Sequence, residues 1–119
     1  MTDLAIEFTR DDRGRPAAAP RPGAGDPQAA RLLAEFLTVE VGRTTQGVDH
    51  VVARVDAAVA QAAPWEGSGN ALAFDIGADG IRLSDLWREP PCERTIPLDA
   101  LRAALAAWRA FIAEAGGRD

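Results

Sequence analysis

The chain has 119 residues, with 13 Arg and no Lys, 18 acidic residues, one His, one Cys and a formal charge of -5. This length predicts a single domain over residues 1–119 with one hydrophobic core. Because Cys92 is the only cysteine and His50 the only histidine, internal disulfides and zinc sites built from Cys and His are excluded. The acidic balance also argues against binding to bare nucleic acid, whose phosphates require a basic surface.

No targeting or membrane segment is predicted from the sequence. Residues 1–10 lack a charged start followed by a long apolar run, and no stretch approaches the roughly 18 apolar residues of a spanning helix. We therefore expect a cytoplasmic protein with no membrane partner.

The N-terminal residues predict a pair of strands. Alternating apolar side chains predict the first strand over residues 4–10. The polar run that ends at Gly14 predicts a turn, and residues 15–19 a second strand. Pro16 cannot donate to a ladder, so the second strand is expected at a sheet edge.

Two helices are predicted next. Asp26 before Pro27 is a helix-start signal, and apolar residues at intervals of three and four predict a helix over residues 27–41 that ends at Gly42. Thr44 or Thr45 is expected to cap a second helix, whose apolar stripe is rich in Val and so depends on packing.

The C-terminal half predicts further strands and a last helix. Residues 70–76 and 81–86 form a β-hairpin pattern around a Gly- and Asp-containing turn, after a flexible entry over residues 65–70. A short strand over residues 93–98 leads into a third helix over 99–115. The fold class is therefore α+β, a mainly antiparallel sheet of about five strands in the order β-β-α-α-β-β-β-α, packed against three helices.

The polar residues do not form a recognisable catalytic motif. His50 follows Asp49, but adjacent helix residues diverge by about 100°, so a surface His is expected. Cys92 follows two prolines and has no His nearby in sequence, which predicts an inert thiol. Ser68 lies between glycines without the Gly-Lys-Ser/Thr ending of a phosphate loop or the Gly-x-Ser-x-Gly order of a hydrolase.

Metal and cofactor sites are not predicted either. Asp75 and Asp79 bracket a turn and lack the alternating spacing of a calcium loop, and Asp85 completes no such pattern. Turn chemistry accounts for Asp79 before Gly80 without an ion. We therefore expect no cofactor and no catalytic residue, although paired carboxylates distant in sequence leave an enzyme as a third possibility.

The excess negative charge is concentrated in residues 65–99. This segment has seven acidic residues and three Arg, and it also contains two of the three Trp residues. Trp and Arg anchors among carboxylates are typical of binding surfaces, and acidic patches accelerate the capture of basic partners. The residues predicted to bind a partner are Trp65, Glu66, Asp85, Trp87, Arg88, Glu89 and Glu93. The alternative, which the sequence leaves open, is that both Trp rings cover the ends of the core.

Three segments carry a resemblance to a known family. They are residues 7–14 (EFTRDDRG), residues 65–67 (WEG) and residues 105–111 (LAAWRAF). Together, in this order, the chain resembles the YacL-like family of small bacterial proteins, which implies a small α+β domain without an assigned activity. In general form it is also similar to the immunity proteins of contact-dependent growth inhibition, small and often acidic cytoplasmic proteins that cover a nuclease toxin.

Two functions from different classes follow as hypotheses. The first is a non-enzymatic immunity protein that occludes a basic toxin domain with its acidic segment. The second is a YacL-like housekeeping or regulatory protein with a small-ligand or self-association site, for which a homodimer is a possible form.

Overall fold

The computed structural model describes residues 6–21, 23, 26–61, 65–68, 72–85 and 92–114. Its described residues form an α+β fold with three α-helices and two antiparallel sheets, of two and four strands. The predicted fold class is confirmed, but the described residues form six strands in two sheets rather than about five in one. None of the described helices combines the length and the apolar character that a bilayer span requires.

The two-stranded sheet is formed by β1 (Ile6–Arg10) and β2 (Pro16–Pro20). Its turn closes through Gly14, whose φ of 78° is the left-handed conformation that glycine adopts without strain. The Asp11 side chain accepts hydrogen bonds from the backbone N–H groups of Arg13 and Arg15 across this turn. The predicted first strand began at residue 4, and residues 4 and 5 lie outside the described part of the chain.

The first helix, α1 (Pro27–Glu35), begins as its sequence predicts. The Asp26 carboxylate accepts a hydrogen bond from the backbone N–H of Ala29, and Pro27 occupies the first turn, where no donor is needed. The helix continues as a π-helix over Phe36–Val41, which the sequence did not predict. It ends at Gly42, whose φ is 93° and whose N–H donates to the carbonyl of Leu37.

The other two helices, α2 (Thr45–Ala60) and α3 (Leu98–Glu114), pack against each other. Thr44 is the N-cap of α2, because its hydroxyl accepts a hydrogen bond from the N–H of Gly47. Most of each predicted apolar stripe is buried, including Val48 and Val55 on α2 and Leu101, Leu105 and Trp108 on α3. Val52, Val59 and Phe111 are partly buried, and residue 62 lies outside the described residues.

The four-stranded sheet is an antiparallel meander in which each strand pairs with the next along the chain. Its strands are β3 (Trp65–Ser68), β4 (Leu72–Gly77), β5 (Gly80–Asp85) and β6 (Glu93–Pro97). The inner face packs against the helices and buries Leu72, Ile76, Ile81, Leu83 and Ile96 in the same apolar cluster as the helix residues. The opposite face of the sheet, the outer face, is turned away from the helices and forms the candidate functional site.

The prediction of a flexible entry over residues 65–70 is wrong for residues 65–68, which form β3. Gly67 weakens the sequence pattern of a strand, but the Phe74 ring occupies the space beside it. A Cβ at Gly67 would lie 2.7 Å from Cζ of Phe74. The ring therefore provides the packing that a side chain at residue 67 would otherwise supply.

Candidate functional site

The outer face of the four-stranded sheet consists of side chains that alternate with the buried ones. The register places Glu66 beside Asp75, Asp75 beside Arg82 and Arg82 beside Thr95 across the four strands. The next row contains Ala73, Ser84 and Glu93. Small side chains in this row leave a shallow hollow of about 480 Å³ in the middle of the face.

The charge of the outer face is mainly negative. Arg82 is its only described cation, and it forms an ion pair with Asp75 in which Nη2 lies 2.9 Å from Oδ2. Glu93 accepts a hydrogen bond of 3.0 Å from the Ser84 hydroxyl. Glu66 and Glu93 are both exposed and lie on the two edge strands, β3 and β6. These strands are three strand spacings apart, which is about 14 Å. Asp79, exposed in the turn between β4 and β5, adds a fourth carboxylate at one end of the face.

The structure divides the predicted partner-binding residues between the two faces of the sheet. Glu66 and Glu93 lie on the outer face. Trp65 lies on the inner face, opposite the buried Ile76, and its indole is half-buried against the Phe74 ring at 5.1 Å between centroids. The Arg54 guanidinium lies 4.9 Å from the centroid of the Trp65 ring. Trp87, Arg88 and Glu89 lie outside the described residues.

Asp85 is also on the inner face and its charge is compensated there. Its Oδ2 lies 3.1 Å from Nη1 of Arg31, and the side chain is 13% exposed. The Arg31 Nε also donates to the side-chain carbonyl of Gln28 at 3.2 Å. Asp85 therefore fixes α1 to the end of β5 and does not contribute to the charge of the outer face.

Asp75 and Arg82 also belong to the outer face, although they are not among the residues that the sequence predicts to bind a partner. The signal that would have identified them is the hairpin register. A two-residue turn at Ala78 and Asp79 pairs Gly77 with Gly80, and two residues further along each strand it pairs Asp75 with Arg82.

The residues considered for chemistry lie apart from one another. His50 is exposed on α2, as predicted, and the neighbouring Asp49 carboxylate binds Arg109 instead, with Oδ1 2.7 Å from Nε. The Arg109 hydrogen bonds hold the pKa of Asp49 below its ordinary value of 3.8. Cys92 is half-buried, with its sulfur 3.8 Å from Nη1 of Arg94. Among the described residues, no group of three or more His, Cys, Asp or Glu could hold a metal ion.

Comparisons of the chain with protein-family models, with curated proteins and with solved structures give no match.

Proposed function

We propose that the chain is a non-enzymatic protein-binding protein, most concretely an immunity protein that neutralises a bacterial toxin by covering it with the outer face. The observation that carries this proposal is the uncovered outer face, on which four carboxylates accompany a single guanidinium among the described residues. The inner face of the same sheet is buried under helices. A sheet surface left open, polar and negative in this way suits a basic partner.

A nuclease toxin domain fits this charge for a physical reason. A nuclease attracts the phosphates of its substrate with a basic surface. An acidic protein that covers this surface competes with the nucleic acid for the same cations. Inhibition then requires no catalytic residue in the inhibitor, and both proteins would meet in the bacterial cytoplasm.

The size of the outer face sets a limit on this mode of binding. Four strands at about 4.8 Å each and six residues at about 3.3 Å each give a surface of roughly 400 Å². A stable interface buries about 800 Å² on each partner. The outer face therefore supplies about half of the contact, and the partner also binds neighbouring parts of the molecule.

Co-expression with the product of the neighbouring open reading frame tests the proposal. We expect that this product is toxic when expressed alone, that the chain relieves the toxicity, and that the two proteins copurify. If the neighbouring product is harmless and does not copurify, the immunity function is wrong.

Charge variants test the surface itself. Glu66→Gln with Glu93→Gln removes two carboxylates from the outer face without changing their shape. The control is Glu7→Gln, an exposed glutamate on β1 in the other sheet. We expect the double variant to associate roughly three- to tenfold more slowly at low salt, since opposite charges mainly raise the association rate. The control should associate like the wild type.

A second candidate function, self-association, is favoured by a different observation. An apolar groove of about 330 Å³ lies between α2 and α3, lined by Val48, Val52, Val55 and Leu105. Ion pairs flank it, with Asp49 and Asp56 on α2 and Arg109 and Arg102 on α3. These charges are paired within one chain, so a second copy would contact the groove mainly through its apolar side chains.

Sedimentation over a concentration series distinguishes the second candidate. Self-association through the groove predicts a dimer that dissociates in the Val52→Arg variant. A wild-type protein that stays monomeric at every concentration contradicts it.

A further inference from the structure

We infer that β3 is a docking edge at which an extended segment of the partner adds a fifth strand to the sheet. The inference rests on the proposed function and specifies how the partner is held. The segment has a defined chemistry, with basic side chains on the outer face alternating with apolar side chains on the inner face.

The first observation is the direction of the backbone groups in β3. The N–H of Asp85 donates to the carbonyl of Cys92 at 2.9 Å, which identifies that pair as hydrogen-bonded. In antiparallel sheets such pairs alternate with pairs that turn their backbone groups away from each other. The strand registers extend this alternation from the β5–β6 pair through β4 to β3. As a result, the backbone N–H and C=O groups of Trp65 and Gly67 point towards β4. The backbone N–H and C=O of Glu66 and Ser68 therefore point out of the sheet.

No described strand pairs with this outer edge of β3, because β1 and β2 form a separate sheet. The opposite edge strand, β6, differs from β3. Its outward-directed residues are Glu93, Thr95 and Pro97, and proline at a sheet edge removes a donor that an added strand would use. The described residues of β3 contain no proline, so its edge retains the donors and acceptors needed for pairing.

The side chains beside the edge define what the added strand must contain. On the outer face, the exposed Glu66 lies next to the position of the new strand and favours Arg or Lys there. On the inner face, the half-buried rings of Trp65 and Phe74 lie beneath the same edge and favour an apolar residue. Since strand residues alternate between faces, the occupant alternates basic and apolar residues.

The charge distinguishes this occupant from a second copy of the chain. Pairing of two β3 edges would join two acidic outer faces and bring two Glu66 side chains onto neighbouring strands. Like charges in such positions are destabilising. A basic segment from a different protein has the opposite effect, and the main-chain hydrogen bonds add contact beyond the roughly 400 Å² of the outer face.

Hydrogen exchange of single amides tests the inference on the complex with the product of the neighbouring open reading frame. In the free protein we expect the Gly67 amide to exchange slowly and the Glu66 and Ser68 amides to exchange rapidly. In the complex, the amides of Glu66 and Ser68 should become protected at least tenfold. If the partner is bound and both amides still exchange rapidly, β3 is not the docking edge, while the proposed function stands.

Proline variants provide the second arm of the test. Ser68→Pro removes an outward-directed N–H without changing the net charge, and Thr95→Pro is the matched control at the opposite edge. Loss of the hydrogen bond and of strand contact predicts at least tenfold weaker binding for Ser68→Pro. Thr95 lies on the outer face but at an edge without an added strand, so Thr95→Pro should weaken binding by less than about threefold. Both variants are checked for folding by circular dichroism. Equal affinities of the two variants and the wild type would overturn strand addition.

The remaining outcomes separate the inference from the proposed function. If the wild-type protein binds no partner, both the proposed function and strand addition are wrong. If the Glu66 and Ser68 amides are protected in a concentrated sample of the chain alone, the occupant is a second copy, which contradicts a basic partner. Binding that is lost with Glu66→Gln and Glu93→Gln but unaffected by Ser68→Pro supports the charged face and overturns strand addition.

Discussion

The two sheets of this molecule differ in how their free surfaces are covered. The two-stranded sheet is anchored on one face by Phe8, whose ring lies 5.5 Å from that of Trp108 and 5.4 Å from that of Phe111. Its outer edge on β2 is also occupied. The N–H of Ala18 donates to the Thr38 hydroxyl, and the carbonyl of Pro16 accepts from Arg43. The four-stranded sheet has neither its outer face nor the β3 edge covered by described residues.

Size explains part of this difference. A hairpin with five-residue strands is marginally stable alone in water, so it persists only where helices and side chains cover it. The four-stranded sheet buries one full face against the helices and retains its structure with the other face free. The larger sheet therefore leaves a polar face uncovered by described residues without exposing the core.

The largest effect is expected when the anchor of the two-stranded sheet is removed. Trp108 is fully buried, contacts Phe8 and donates from Nε1 to the carbonyl of Gly42 at 2.8 Å. Trp108→Ala should lower the free energy of unfolding by about 3–5 kcal/mol, measured by urea denaturation. A loss below about 1 kcal/mol would show that the ring is not part of the core.

A comparison of two glycines probes the four-stranded sheet. Gly80 has a φ of 128°, and a Cβ there would lie 2.0 Å from the carbonyl oxygen of Ile96, whereas a Cβ at Gly77 meets no atom within 4 Å. Gly80→Ala should destabilise the protein by about 2–4 kcal/mol through strain and displacement of β6. Gly77→Ala, on the other side of the same turn, should change stability by less than about 0.5 kcal/mol. Similar midpoints for both variants in thermal denaturation would contradict the turn geometry.

A smaller effect is expected at the covered edge of β2. Thr38→Val keeps the shape of the side chain but removes the acceptor of the Ala18 N–H. The cost should be about 1 kcal/mol, with faster hydrogen exchange at Ala18. Unchanged exchange at this amide would mean that another group covers the edge.

The smallest effect is expected on acidification. The hydrogen bond from the Ala29 N–H holds the pKa of Asp26 below its ordinary value of 3.8, and the Arg109 hydrogen bonds do the same for Asp49. Because the pKa is lower in the folded state, each carboxylate stabilises the protein above its unfolded pKa. This contribution is lost as the pH falls from about 3.8 through the folded values. Thermal unfolding from neutral to acidic pH should reveal a shallower decline for Asp26→Asn with Asp49→Asn than for the wild type.

Local signals in the sequence predict the elements that they control directly. The Asp26 cap, the Thr44 cap, Gly42 at the end of the helical segment and the β4–β5 turn all depend on residues within a few positions of one another. The structure confirms these elements to within two residues in the described part of the chain. The inner and outer faces of β4 and β5 follow from the same alternation.

Contacts between distant segments explain what the sequence did not predict. β3 depends on the Phe74 ring beside Gly67, and the division into two sheets depends on how the helices separate β2 from the later strands. Asp85 was predicted to bind a partner because its charge is visible in the sequence, whereas its ion pair with Arg31 is visible only in the fold. The placement of Asp75 beside Arg82 on the outer face can be predicted only from the register of two strands.

The salt dependence of association tests the central claim most directly. The rate constant is measured with the product of the neighbouring open reading frame, from about 50 mM to about 500 mM salt, for the wild type, Glu7→Gln and the Glu66→Gln Glu93→Gln double variant. We predict a steep fall for the wild type and Glu7→Gln, and a slower, less salt-dependent association for the double variant. Identical rates and salt dependence for all three proteins would contradict binding through the outer face.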